Sequence, residues 1–359
     1  MNISQKILHH RDTFNPRFKE YFENLNNRLS FPNKSIYPKI CVDLIKDLSL
    51  VGGKRQRVAY LYEAFSLGQG TKITSSTEKH LTACAISIEL LQTHLLIHDD
   101  IVDNSPIRRG SPTTLQHLIK KTKLDNNIPL GMAIMAGDIA AYLALDVLHS
   151  CNLPPKLLSK IVNIQTTAGI DTFLGQIFDL ERDMPNTLFN EDSIIELADF
   201  KASRSSTLAP MLIGISLSSQ DTTNNINIIR KYATSVGIAG QLQDDYLGMF
   251  GDPEKTGKSN ISDLKEGKRT LLITKTLETC NNQEKKIISQ VLGNPTINHK
   301  QANMVKEIIK KYHVDILLKK TAQKYAQLAY SEAKSWSHWN KEAVDFFAES
   351  AKWFINRTV

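Results

Sequence analysis

Apolar residues recur at three- and four-residue spacing through most of the chain, and polar residues fill the faces between them. That periodicity predicts helices almost throughout. The stretch "SSTEKHLTACAISIELLQTHLLIHDDIVD" has a capping-type start near Ser76 or Thr77, then nearly continuous helix. Apolar side chains cover most of its circumference, the pattern of a central, buried helix. "GMAIMAGDIAAYLALDVLHS" is a second such helix, and Pro154 and Pro155 open a third through "LLSKIVNIQTTAGIDTFLGQIFDLERD". "NEDSIIELADFKASRSSTLAPMLIGISLSS" follows, starting near Asn190 or Glu191. Then come "NINIIRKYATSVGIAGQLQDDYLGMF", a loop, "KRTLLITKTLETC" and several C-terminal helices. No alternating strand-and-turn series is present. "RRGSPTTLQ" and "GDPEKTGKSNISDLKEG" read as charge-rich loops. With no repeat, low-complexity tail or evident boundary, the expected architecture is one all-α domain over residues 1–359.

Composition narrows the class. A 41% hydrophobic and 23% charged chain fits a soluble globular protein. The net charge of +7 fits either a lysine-rich solvated surface or anionic substrates. No basic run is interleaved with aromatics, which argues against nucleic acid. Cys41, Cys84, Cys151 and Cys280 stand far apart without zinc spacing and read as reduced core thiols of a cytosolic protein. The first twenty residues lack the apolar core of a signal peptide. "GMAIMAGDIAAYLALDVL" carries Asp138 and Asp146 and reads as too short and too charged for a membrane span.

The chemistry is carried by acids in apolar surroundings. "LIHDDIVDNSPIRRG" sets Asp99, Asp100 and Asp103 in an otherwise apolar run, then adds Arg108 and Arg109. Asp99 and Asp103, four apart on a helix, share a face with Cβ atoms about 5–6 Å from each other. Two carboxylates so placed repel unless a cation stands between them, and hard oxygen ligands favour Mg²⁺. "QLQDDYLGMFGD" repeats the theme with Asp244, Asp245 and, two turns on, Asp252. Acidic clusters on two helices can face each other across a bundle and hold divalent ions with a highly charged anion, such as a diphosphate. The bases suit that anion. "VGGKRQR" places Lys54, Arg55 and Arg57 after two glycines, where backbone can approach phosphate closely, and Lys201, Lys258 and Lys268 follow.

Taken in order, these motifs resemble those of the trans-isoprenyl diphosphate synthases, the polyprenyl synthetase family, over nearly the whole chain. "GGKRQR", "DDIVD" with "RRG" and "SPT", "GQIFDL" and "GQLQDDYLGMFGDPEKTGKSNISDLKEGKRT" carry the resemblance. It implies an all-α isoprenoid synthase fold with a central substrate cavity, a homodimer, and three Mg²⁺ ions bound with the allylic diphosphate. Asp99, Asp103 and Asp244 match its metal ligands, supported by Asp100 and Asp245. Lys54, Arg57, Gln92 and Arg109 match positions that hold isopentenyl diphosphate. Arg108, Lys201, Lys258, Gln241 and Lys268 match positions that hold the allylic diphosphate. Asp99, Asp103, Asp244, Lys201 and Arg108 would form the catalytic set. The implied chemistry is ionisation of the allylic diphosphate, head-to-tail attack by the isopentenyl double bond, and proton loss, with the departing diphosphate able to accept the proton.

Three departures stand out: Gly248 where many members have a third acid, Ala202 where Thr is frequent, and Ser205 where Tyr is common. In this family the residues four and five before the first acidic motif, here Leu95 and His94, floor the elongation pocket, and the turn below includes Leu90 and Leu91. Intermediate side chains there imply geranylgeranyl diphosphate as product, with farnesyl second. His94 and His98, four apart, also suit a shared metal, but apolar neighbours favour pocket wall or core. Rival readings fit less well. A class I terpene cyclase needs an Asn, Ser and Glu metal motif that is missing around Asp244. A metal-dependent phosphohydrolase built on "HDD" needs further His and Asp ligands. A phosphate-loop NTPase needs four residues between its glycines, and "GDPEKTGKS" has five. A catalytically silent partner subunit typically lacks one acidic motif, and both are present here.

Overall fold

The computed structural model describes residues 2–68, 73–184, 187, 189–218, 222–256 and 259–357. Among them the chain forms helices α1 (Ile3–Arg28), α2 (Tyr37–Leu50), α3 (Gln56–Ser66), α4 (Ser75–Val102), α5 (Thr114–Thr122), α6 (Asn127–His149) and α7 (Pro155–Arg182). After α8 (Glu191–Ala198) comes a π-helical segment, Asp199–Leu208, then α9 (Ala209–Leu217) and α10 (Thr222–Phe250). Two short helices, α11 (Pro253–Thr256) and α12 (Ser262–Glu266), lead to α13 (Leu271–Thr279), α14 (Asn282–Val291), α15 (His299–Lys311), α16 (Val314–Lys334) and α17 (Lys341–Asn356). The all-α expectation holds. One exception lies inside a stretch read as loop, where β1 (Ile107–Arg108) pairs antiparallel with β2 (Ser111–Pro112). The helix expected to continue from Asn190 is broken into α8, the π segment and α9.

The described residues fall into two compact units. The first comprises Met1–Gln165 and Pro210–Thr222. Its centre is α4, capped by the Thr74 side chain, which accepts from the Thr77 backbone N–H. Helix α6 lays a buried stripe of small residues, Ala133, Ala136, Gly137, Ala140 and Ala144, along its inner side, so that helix backbones can approach closely. Phe14, Phe18 and Phe22 of α1 stack at one-turn spacing, consecutive ring centroids 5.2 Å apart, and join Ile45, Leu90 and Ile97 in one core. A second cluster takes Leu61 and Phe65 from α3, Leu81 and Ile88 from α4, and Ile213 and Leu217 from α9. Gly214 makes that packing possible: a Cβ there would lie 2.9 Å from Phe65 N and from Ala64 Cβ. At 23 residues α6 is long and apolar enough to cross a membrane by length and composition, as is α4, contrary to the reading of too short and too charged. Most of α4 is buried within the protein.

The second unit comprises Thr166–Ala209 and Thr223–Val359. Its core joins Ile238 and Leu242 of α10 to Leu272 and Ile273 of α13, Ile309 of α15 and Leu318 of α16. On the C-terminal side Tyr232 is fully buried, and its hydroxyl donates to the Phe347 carbonyl at 2.8 Å. The four cysteines are free thiols, as expected, with Cys41, Cys84 and Cys280 buried.

Candidate active site

The first acidic motif occupies the last turn of α4. Asp103 is its C-cap residue, Asp100 is 2% exposed, and Asp99 is partly exposed. A helix C-terminus carries partial negative charge, so carboxylates are disfavoured there unless cations meet them. One cation is supplied by the chain. Arg108 donates through Nε to Asp100 Oδ1 at 2.6 Å and through Nη2 to Asp99 Oδ2 at 3.1 Å. The small β-ladder positions it. Arg109 and Gly110, at φ +52° and +76°, form its two-residue turn, the left-handed pair that suits a tight hairpin. Arg109 follows Arg108 directly but donates through Nη1 to the Val51 carbonyl at 2.8 Å.

That bond explains the paired glycines. Gly52 and Gly53, at φ +64° and +85°, lie beneath the Arg109 side chain, and a Cβ on either would come within 3.3 Å of it. Arg57 lies close by. Burial pushes its guanidinium below the ordinary range, opposed by Glu89, and Arg109 and Arg55 press it further down. Crowded, partly dehydrated arginines favour an anion. Arg55 is a correction to the sequence reading. It is 4% exposed, ion-paired with buried Glu89, donates to Asn15 Oδ1 at 3.0 Å, and lies over the Phe14 and Phe18 rings. It braces the fold rather than meeting a ligand. Lys54 and Gln92 are partly buried, Gln92 two turns before Asp99 on α4.

In the second unit, Asp244 and Asp245 lie in the penultimate turn of α10. Asp244 is exposed, and its Oδ1 accepts from Arg357 Nη2 at 2.7 Å. Asp245 accepts from Gln241 Nε2 at 2.9 Å. Burial pushes the Asp245 carboxyl up to about 7, against the Gln241 hydrogen bond, with Asp263 and Asp244 adding to the rise. Gly248 is filled from elsewhere: a Cβ there would collide with the carboxylate of Asp263. The third acid that position 248 lacks in sequence is thus present in space, from α12. Asp252 lies just past α10, and its carboxylate accepts from the Glu254 N–H at 3.1 Å.

Lys201 projects from the π segment and is ion-paired with Asp179 of the "GQIFDL" stretch. Arg182 Nη1 meets the same carboxylate at 2.7 Å. Burial alone would raise the Asp179 carboxyl, but Lys201 and Arg182 outweigh it, with Lys268 contributing, and hold it below its ordinary range. Gly175 permits this arrangement: a Cβ there would lie 2.7 Å from Lys201 N and 2.9 Å from Phe200 C. Arg204 anchors the segment through Asp171 at 2.8 Å and Asp199 at 2.9 Å. Lys268 meets Glu266 at 2.7 Å, and Lys258 lies outside the described residues. Sequence reasoning gave no role to Asp179, Arg182, Asp263 or Arg357, although Asp179 and Asp263 lie inside quoted motifs. The first two carry a readable signal, opposite charges three apart on one helix. Arg357 carries none.

His94, singled out for the elongation pocket, is buried, and its Nδ1 donates to the Gly137 carbonyl at 2.9 Å. Burial and then the neighbouring His98 lower its basicity, against the Gly137 hydrogen bond and Asp138. Leu91 and Leu95 are partly buried, whereas Leu90 is fully enclosed in the core. Along α7, Ile170, Leu174 and Ile177 are at least half exposed and form an apolar stripe.

Comparisons with known proteins place the chain in a family. The polyprenyl synthetase family model matches residues 38–312. The geranylgeranyl diphosphate synthase of Sulfolobus acidocaldarius is 31% identical over 92% of this chain and 97% of its own. That of Saccharolobus solfataricus is 30% identical over 95% and 97%. Among solved structures, a geranylgeranyl pyrophosphate synthase from Corynebacterium glutamicum, complexed with isoprenyl diphosphate and magnesium, superposes with a TM-score of 0.87 at 23% identity. That match covers 99% of this chain and 100% of the other. The chain belongs to the polyprenyl synthetase family.

Proposed function

We propose that the protein is a trans-prenyltransferase that condenses isopentenyl diphosphate head to tail with an allylic diphosphate, giving geranylgeranyl diphosphate. The observation that carries this reading is the last turn of α4, where Asp99, Asp100 and Asp103 crowd a helix end that disfavours negative charge. The donor set is all carboxylate oxygen, which fits Mg²⁺. Asp99 and Asp103, with Asp244 from the second motif, would hold it, and Asp100 and Asp245 would support them. Mg²⁺ supplies charge neutralisation for the leaving diphosphate. Three ions per site are expected from the family.

The chain's own residues do the rest. Arg108, Lys201, Lys258, Lys268 and Gln241 hold the allylic diphosphate and stabilise charge as it leaves. Lys54, Arg57, Gln92 and Arg109 hold isopentenyl diphosphate, with Arg109 steadied by the Val51 carbonyl. The isopentenyl double bond attacks the allylic carbon, and the new cation loses a proton to the departed diphosphate. The apolar stripe on α7 suits a hydrocarbon substrate. The two relatives named geranylgeranyl diphosphate synthases support a twenty-carbon product. We read the enzyme as a cytosolic homodimer.

The test is a product assay. Purified protein is incubated with Mg²⁺, isopentenyl diphosphate and dimethylallyl, geranyl or farnesyl diphosphate, and the hydrolysed alcohols are sized. A chelator-sensitive twenty-carbon alcohol is expected, and absence of condensation from every starter overturns the reading. His94→Ala should lengthen the product by opening the pocket floor. An unchanged product places the floor elsewhere.

A further inference from the structure

Directly before Asp99 on α4, a second cluster of possible ligands joins α4 to α6. His94 and His98 are successive-turn neighbours on α4, with ring centroids 4.5 Å apart, and Asp138 faces them from α6. One donor atom from each lies within 4.8 Å of the others. We propose that His94, His98 and Asp138 bind a divalent transition-metal ion, zinc being the natural candidate, separately from the Mg²⁺ acids.

The chemistry favours nitrogen-loving ions. Two imidazoles and one carboxylate suit Zn²⁺ or Co²⁺ and do not suit Mg²⁺. In a tetrahedral shell with bonds near 2.1 Å, neighbouring donors stand about 3.4 Å apart. His98 Nε2 and Asp138 Oδ1 are 3.6 Å apart, too long for a hydrogen bond and close to that spacing. His94 already has the outer contact that ligating histidines favour. Its Nδ1–H donates to the Gly137 carbonyl, which leaves the lone pair on Nε2. His98 Nε2 also lies 3.2 Å from the Ile134 carbonyl, so binding an ion there moves its proton to Nδ1. Gly137 gives His98 its seat, since a Cβ there would collide with the imidazole. His94 is buried and Asp138 is 43% exposed, so the site opens on one side, where water can complete the shell.

The experiment is a Co²⁺ titration of the full-length protein in excess Mg²⁺, without diphosphate substrates, read by visible absorption. One equivalent with the intense bands of low-coordinate cobalt is expected, displaced by Zn²⁺. Affinity should fall more than about 100-fold, beyond what outer-contact losses produce, in His98→Gln and in Asp138→Asn. Asp138→Asn changes a half-exposed side chain and keeps the test valid if a histidine variant misfolds. Asp99→Asn should keep the bands. No bands, or bands lost in Asp99→Asn but kept in Asp138→Asn, would overturn the site. The readout is optical, so failure of the prenyltransferase reading leaves it intact, and the reverse holds too.

Discussion

Two residues of one charge type serve opposite ends in this protein. Asp99 is partly exposed and shared with Arg108, whereas Glu89 is buried and committed to Arg55. Their losses should therefore differ in kind. Asp99→Ala, like Asp244→Ala, is expected to cut turnover by about 100-fold or more through loss of a metal ligand, with little change in melting temperature. Initial rates of isopentenyl incorporation, paired with thermal melts, check this, and near-normal turnover would sink the metal assignment. Arg55→Met instead strands Glu89 in the core and should cost about 3–5 kcal/mol of stability. Urea unfolding measures it, and a loss below about 1 kcal/mol would show that the pair contributes little. The contrast was only half legible in sequence. "DDIVD" announces its acids because apolar neighbours make their burial costly without a partner. "GGKRQR" does not say which base turns inward, because that depends on Phe14, Phe18 and Glu89, distant in the chain.

At the scale of elements, close backbone approach decides which glycines matter. Gly169 and Gly175 sit on the same helix, α7. A Cβ at 169 meets nothing within 4 Å, whereas one at 175 meets the backbone of Phe200 and Lys201. Gly169→Ala should stabilise by about 0.5–1 kcal/mol through helix propensity. Gly175→Ala should destabilise by about 1–3 kcal/mol and lower activity by displacing Lys201. Chemical denaturation of both variants checks the opposite signs, and equal signs would remove the packing account. Helix positions and the central role of α4 were readable from periodicity. The π segment was not, because periodicity reports which face is buried and is nearly blind to one extra residue in a turn. The β-ladder was too short to leave an alternating signature.

At the scale of the molecule, α6 leaves a row of large apolar side chains on its outer side. Ile128, Met135 and Tyr142 recur every seven residues, and Tyr142 is 74% exposed. Such a row on one helix suits a self-complementary contact with a second copy. The protein should run at twice its monomer mass by light scattering, and Met135→Glu combined with Tyr142→Asp should shift it toward monomer. A monomeric parent protein would refute the pairing. Composition and charge did not disclose this face, since the same residues in sequence read as core of an apolar helix.

The π segment carries a consequence for tracing descent. Its hydrogen bonds close on the fifth residue instead of the fourth, so it holds more chain than an α path of the same rise. Deleting one residue between 199 and 208 would restore an α path within the segment and change the direction in which its own side chains point. Lys201 would then swing away from Asp179. The segment behaves as an insertion kept in phase by its anchors, Arg204 with Asp171 and Asp199. Ala202 and Ser205, two of the three departures from the family pattern, both lie within it. There, counting along the chain and position in space fall out of step, so a role transferred by residue number alone can land on the wrong neighbour.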